Sequence, residues 1–258
     1  MRVFKIPFSA GGLGKTSGCE NAPDRIIGLA KNNSATENGE FFQIEEQAIQ
    51  TDNSNISESL KKIEEHVSSL PFVAIGGDHT ITYSILKKIA DRNTGVIILD
   101  AHPDLMQRFD VPTHENYLRH LIEEGILQPE QIILIGLRSI DTEEKRFMKE
   151  KRITYITMHQ IIQEGLQEIC DTATELMNRF EKAYVSVDID VADPAFAPGT
   201  GNPEPGGLSS RELLYILRRI MMMKNFSGGD IVEVNPSKDI NEMTSRLAGR
   251  ILAEMCGK

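Results

Sequence analysis

Short apolar runs rich in β-branched residues alternate with longer amphipathic stretches along this chain. The runs fall at 2–7, 72–76, 96–100, 131–136, 153–156, 183–189 and 230–234. Phe72–Ile75, Val96–Leu99 and Ala183–Val187 are bounded by Gly or Asp, as buried strands of a parallel sheet are. The stretches between, at 56–69, 80–92, 115–125, 141–151, 159–181, 209–224 and 241–256, read as amphipathic helices. Asp141 with Glu144 and Ser209 with Glu212 have capping-box spacing, which marks two helix starts. This alternation predicts a three-layer α/β/α domain around a central, mainly parallel sheet. The polar stretch 31–40 reads as a surface loop. The segment 191–208 holds four prolines and four glycines, so it reads as a long ordered loop of the kind that walls an active site.

Composition narrows the picture. A length of 258 residues suits one domain over 1–258 and is short for two. The apolar share of 40% and charged share of 26% are ordinary for a globular chain. A net charge of −10 argues against nucleic acid and anionic membrane surfaces as partners. Cys19, Cys170 and Cys256 are odd in number and far apart, so no disulfide framework is expected and a reduced, cytoplasmic setting is. No apolar run approaches membrane length, and Met1–Phe8 is too short and mixed for a signal peptide.

The chemistry lies in three motifs at the ends of the predicted strands. Gly76-Gly-Asp-His79 supplies His79; Asp100-Ala-His-Pro-Asp104 supplies Asp100, His102 and Asp104; Ser186-Val-Asp-Ile-Asp190 supplies Asp188 and Asp190. Ligands bind beyond the carboxyl ends of strands in parallel sheets, where these residues fall. Taken singly, each is a cap, a salt-bridge partner or a satisfied polar group. As a set, four carboxylates and two imidazoles repel one another unless cations neutralise them, and two divalent ions sharing six ligands is the natural solution.

Together the motifs resemble the ureohydrolase family, which includes arginase and agmatinase. Asp193–Gly201 with Pro203 and Gly206-Gly207, Ile135-Gly-Leu-Arg-Ser139 and Asp230-Ile-Val-Glu-Val-Asn-Pro236 are similar to family segments. The resemblance runs from about residue 72 to the C-terminus and thins before that to Gly18–Pro23. It implies an arginase-like fold and hydrolysis of a guanidino or amidino compound by a centre of two divalent ions, manganese first. One ion takes His79 and Asp104, the other His102 and Asp190, while Asp100 and Asp188 bridge both. Asp104 orients a hydroxide, Glu233 holds the planar guanidinium, and His114 relays a proton to the leaving amine. The family's habit also implies a homo-oligomer, a trimer or hexamer.

Details favour agmatinase-like members over true arginase. The loop 105–113 lacks the stretch with which arginase grips an α-amino acid, and Glu204 is agmatinase-like. Asn202 departs from the threonine typical of the family. Agmatine-like substrates therefore lead, ahead of arginine, guanidino acids and formimino compounds. Arg108 reads as a solvated surface residue, His120 as a helix-surface residue, and a bland reading of Glu233 pairs it with Lys238. Gly14-Lys15-Thr16 imitates the end of a P-loop, but Ser9 stands where that pattern needs glycine. Two other classes remain: a metal-binding regulatory relative without turnover, and a single-zinc deacetylase on a related fold.

Overall fold

The computed structural model describes residues 1–32, 35–68 and 70–257. Its strands are β1 (Arg2–Lys5), β2 (Glu45–Ala48), β3 (Phe72–Ile75), β4 (Thr94–Leu99), β5 (Ile132–Leu137), β6 (Thr154–Thr157), β7 (Lys182–Asp188) and β8 (Phe226–Val232). They form one sheet in the order β2-β1-β3-β8-β7-β4-β5-β6, and every neighbouring pair is parallel. All residues of β3, β4 and β5 are buried, because helices cover both faces. That is why their sequences are continuously apolar rather than alternating.

The helices are α1 (Ala22–Asn32), α2 (Ile56–His66), α3 (Ile81–Ile89), α4 (Tyr117–Glu123), α5 (Thr142–Lys151), α6 (Met158–Glu164), α7 (Leu166–Met177), α8 (Ser210–Met221) and α9 (Met243–Cys256). One apolar cluster joins a sheet face to α1 and α6–α9, and a second joins the opposite face to α2–α5. The strand period of two is visible in β4, where Ile97 and Leu99 enter the first cluster and Val96 and Ile98 the second. The expected three layers are therefore present. Both expected capping boxes form, with Asp141 and Glu144 opening α5 and Ser209 and Glu212 opening α8.

The structure departs from the sequence pattern in four places. Strand β2 is wholly exposed and reads Glu-Glu-Gln-Ala, so no apolar period announces it. It forms by backbone pairing to β1, and Glu46 is held by Lys5 and Lys31. Helix α1 starts at Ala22 with Pro23 in its first turn, a position that spares a helix the missing N–H, and buries Ile26, Ile27 and Ala30. The expected helix 159–181 is two helices, broken at Gly165, whose φ of 87° an L side chain rarely adopts. Strand β8 begins at Phe226 instead of 230, because Ser227-Gly228-Gly229 carries no apolar signal. A Cβ at Gly229 would lie 2.0 Å from the Val185 carbonyl oxygen, so only glycine lets β8 approach β7 there. The expected loop 31–40 begins at the end of α1; its residues 33 and 34, like residue 69 at the end of the expected 56–69 helix, lie outside the described residues.

All three cysteines are buried and free. Among the described residues no helix is long and apolar enough to cross a membrane. Ile97 is fully buried at the sheet centre, and trimming it leaves a void that close-packed neighbours fill poorly. Ile97→Ala is expected to cost about 2–5 kcal/mol, read from the urea midpoint at unchanged slope.

Candidate metal centre

Strands β3, β8, β7 and β4 are consecutive neighbours, and each ends in one of the chemistry-bearing segments. Register aligns them: Ile75 lies opposite Ile231, Val232 opposite Asp188, and Val187 opposite Leu99. The residues that follow therefore emerge at one level of the sheet edge. The Gly76-Gly77 pair makes the first turn possible, since a Cβ at Gly77 would sit 1.9 Å from the Phe8 carbonyl oxygen. Asp104 and Glu233 both have left-handed backbones, with φ of 54° and 63°. Strain of this kind costs of order 1–3 kcal/mol per residue and gathers where geometry serves a site.

All six ligand candidates meet there. His79 Nδ1 lies 3.1 Å from Asp100 Oδ2, 3.1 Å from Asp104 Oδ2 and 3.2 Å from Asp188 Oδ2. His102 Nδ1 lies 3.0 Å from Asp190 Oδ2 and 3.6 Å from Asp100 Oδ1. Two groups could each hold an ion, His79 with Asp100 and Asp188, and Asp100 with His102 and Asp190. Asp100 belongs to both. Buried His79 Nδ1 and Asp100 Oδ2 make no hydrogen bond although they face each other. These two orphaned atoms, set among two imidazoles and four carboxylates in two adjoining groups, mark a donor set that fits divalent cations.

The cluster's electrostatics say the same. Burial pushes the Asp104 carboxyl up to about 7, with the Asp100 charge adding to it. Burial and then the Asp190 charge raise Asp188 well above the carboxylate range. Asp100 is the exception: burial works to raise it, but the neighbouring His102 and His79 imidazoles hold it below its ordinary value. Burial also opposes charge on His102, yet Asp100 and Asp190 outweigh it and raise the imidazole. Protons shared between imidazoles and carboxylates thus stand in for cations, and cation binding would release them.

Glu233 and His114 complete the wall. Glu233 Oε1 accepts the His79 backbone N–H at 2.9 Å and lies 3.3 Å from His114 Nδ1. Burial opposes charging His114, but Glu233 outweighs it and lifts the imidazole to about 9. The Lys238 ammonium instead donates to the carbonyls of Lys15 and Gly201, which removes the bland reading of Glu233. A cavity of about 180 Å³ opens here, lined by His102, Asp104, Met106, His114, Glu115, Glu144, Asp188, Asp190, Asn202 and Glu233.

Two expectations need correction. His120 is 1% exposed, packed edge-on to Tyr83, with Nδ1 3.2 Å from Glu124 Oε1, because α4 turns that face inward. Arg108 is not simply solvated: it pairs with Glu123 and Glu124 and ties loop 105–113 to α4. Gly14-Lys15-Thr16 forms no phosphate loop. Its loop supports the site, with the Gly11 carbonyl accepting the His114 N–H and the Lys15 ammonium pairing with Glu115.

Sequence reasoning also missed the supports behind the ligands. His79 Nε2 lies 2.9 Å from Ser186 Oγ and 3.0 Å from Tyr117 Oη. Ser186 donates to Asp230 Oδ1 at 2.6 Å, and Thr82 and Tyr184 donate to Asp230 Oδ2 at 2.8 Å each. This chain leaves the Ser186 oxygen to accept from Nε2–H, which frees Nδ1 to face the carboxylates. An aspartate inside the apolar strand β8 was the available signal for Asp230; Tyr117 offered none. Arg138 donates to the carbonyls of Asp190, Val191, Ala192 and Glu204 and so braces the loop 191–208. Asp230→Ala strips three buried hydroxyls of their acceptor and is expected to destabilise the metal-free protein by about 3 kcal/mol, measured by urea unfolding.

Comparison with known proteins shows the family. The profile described as the Arginase family matches residues 1–257, so the relationship extends through the N-terminal region where the motifs thin. Proclavaminate amidinohydrolase of Streptomyces clavuligerus is 36% identical over 214 residues, which cover 81% of this chain and 66% of that protein. Guanidinopropionase of Pseudomonas aeruginosa is 32% identical over 212 residues, 78% of this chain and 66% of that protein. The aligned part thus spans just under two thirds of each relative. The solved formimidoylglutamase of Bacillus subtilis superposes with a TM-score of 0.90 at 28% identity, covering 99% of this chain and 85% of that one. The chain belongs to the arginase family.

Proposed function

We propose that this chain is a single-domain ureohydrolase that cleaves a linear guanidino compound to urea and an amine, with agmatine-like substrates leading. The observation that carries this reading is the cavity wall. Beyond the metal ligands, Glu115, Glu144 and Glu233 line it, and among the described residues no lysine or arginine does, so it favours a cationic guest.

The roles follow from the chemistry of each side chain. His79 and Asp104 would hold one divalent ion, His102 and Asp190 the other, and Asp100 and Asp188 would serve both. When bound, the two ions, manganese first, neutralise the carboxylates and supply a water of lowered proton affinity. Glu233 accepts two N–H groups of the planar guanidinium and sets its central carbon toward that water. Gly201 keeps the space open, since a Cβ there would stand 3.2 Å from Glu233 Oε2. Asp104 orients the attacking water and takes its first proton. His114, 3.3 Å from Glu233, carries a proton to the leaving nitrogen. The water oxygen joins the central carbon, the bond from that carbon to the alkylated nitrogen breaks, and both water protons finish on the departing amine.

A guanidino acid is the second reading. The half-exposed Lys15 ammonium, outside the cavity lining, pairs with the lining residue Glu115, and a substrate carboxylate could take Glu115's place as its partner. The names of the relatives, guanidinopropionase and formimidoylglutamase among them, point the same way. The three free cysteines suit a reduced, cytoplasmic setting, and by family habit the protein works as a homo-oligomer, a trimer or hexamer.

The test is urea release by the manganese-loaded protein with agmatine, arginine, guanidinobutyrate and guanidinopropionate, and formamide release with formiminoglutamate. The expected result is one strong hit, led by agmatine and abolished by chelation. Glu233→Gln should lower its kcat/KM roughly 10²- to 10³-fold with metal retained. Silence across the panel with two ions bound would overturn the reading.

A further inference from the structure

His102 faces two ways. Its Nδ1 meets Asp190 Oδ2 at 3.0 Å and Asp100 Oδ1 at 3.6 Å. Its Nε2 faces the loop 191–208, where Asn202 Nδ2 lies 3.0 Å away and Glu204 Oε1 3.5 Å away. An imidazole that gives its Nδ1 lone pair to a cation carries its proton on Nε2, and that proton needs an acceptor. Two side chains stand ready to supply one. An amide turned about its Cβ–Cγ bond presents oxygen instead of nitrogen, and the Glu204 carboxylate accepts only.

Glu204 is not left to drift. The Glu204 carboxylate takes the Ser139 hydroxyl at 3.2 Å. Its main-chain carbonyl takes Arg138 Nη2 at 2.7 Å, and the same nitrogen holds the Asp190 carbonyl at 2.6 Å. One guanidinium therefore ties the segment behind His102 to the backbone of the ligand in front of it. Asn202 is also where this chain departs from the threonine usual in its family.

We infer that Asn202 and Glu204 are positioning residues for His102: Asn202 Oδ1 takes the Nε2–H, Glu204 Oε1 stands as the charged second acceptor, and Nδ1 is thereby held toward Asp190 and Asp100. The departure at 202 then belongs to metal retention, since its acceptor is engaged by His102 rather than by substrate. The inference rests on the two-ion reading above.

The experiment is a calorimetric titration of Mn²⁺ into the full-length, metal-stripped protein. Wild type is compared with Glu204→Ala, Asn202→Leu and the acceptor-retaining Asn202→Asp, with metal-free melting points as the control for folding. Wild type is expected to take up two ions. Glu204→Ala and Asn202→Leu should each weaken one of them by roughly 10- to 100-fold and leave the other as in wild type, at unchanged metal-free melting points. Asn202→Asp should restore the weakened ion. Wild-type binding of both ions in Glu204→Ala and Asn202→Leu would overturn the inference, and so would an equal loss of both with a lowered melting point. Wild type taking up fewer than two ions would instead overturn the two-ion reading.

Discussion

Mutual repulsion among four buried aspartates is the constraint on which the rest of this structure depends. Asp100, Asp104, Asp188 and Asp190 crowd around two imidazoles and are almost wholly enclosed. Two like charges about 4 Å apart repel by about 4 kcal/mol at an effective dielectric of 20, more than a typical hydrogen bond returns. Such a cluster persists only with protons or cations between its members. With Asp104, Asp188 and His102 all raised, that part falls to protons when no cation is bound. Divalent cations offset the charge while leaving the carboxylates ionised as donors, which is why the arrangement reads as a ligand set and not as a structural network.

Sheet order makes the crowding unavoidable. Strands β3 and β4 lie apart, with β8 and β7 inserted between them, so four chain segments distant in sequence end side by side. Two of the segments bend through left-handed backbones at Asp104 and Glu233, and the glycine pair 76–77 makes a third turn. Behind the ligands the polar supports are themselves satisfied. Asp230 collects three hydroxyls, one of which turns to His79, and Arg138 fastens the loop 191–208 through backbone carbonyls. A site held on four strand ends and a braced loop is rigid where the chemistry needs fixed distances.

Much of this was legible before any coordinates. Val96–Leu99 and Phe72–Ile75 announce buried strands, and the Asp and His residues beyond them announce what the strand ends hold. The family-like segment Asp230–Pro236 leads to Glu233. What could not be read has physical reasons. Strand β2 owes its existence to pairing with β1, not to its own residues. Gly165 divides a continuous helical pattern through its own backbone. His120 looks solvated in sequence because a histidine on an amphipathic helix can face either way, and only the packing against Tyr83 decides. The contacts of Ser186 with Asp230, and of Asn202 and Glu204 with His102, span long stretches of chain. No local pattern encodes them.

The central claim is that two cations occupy the cluster, one at each imidazole. The most direct measurement is anomalous diffraction from crystals of the manganese-loaded protein. The account predicts two peaks, one against His79 Nδ1 and one against His102 Nδ1, with Asp100 between them. A single peak, or none at saturating manganese, would contradict it.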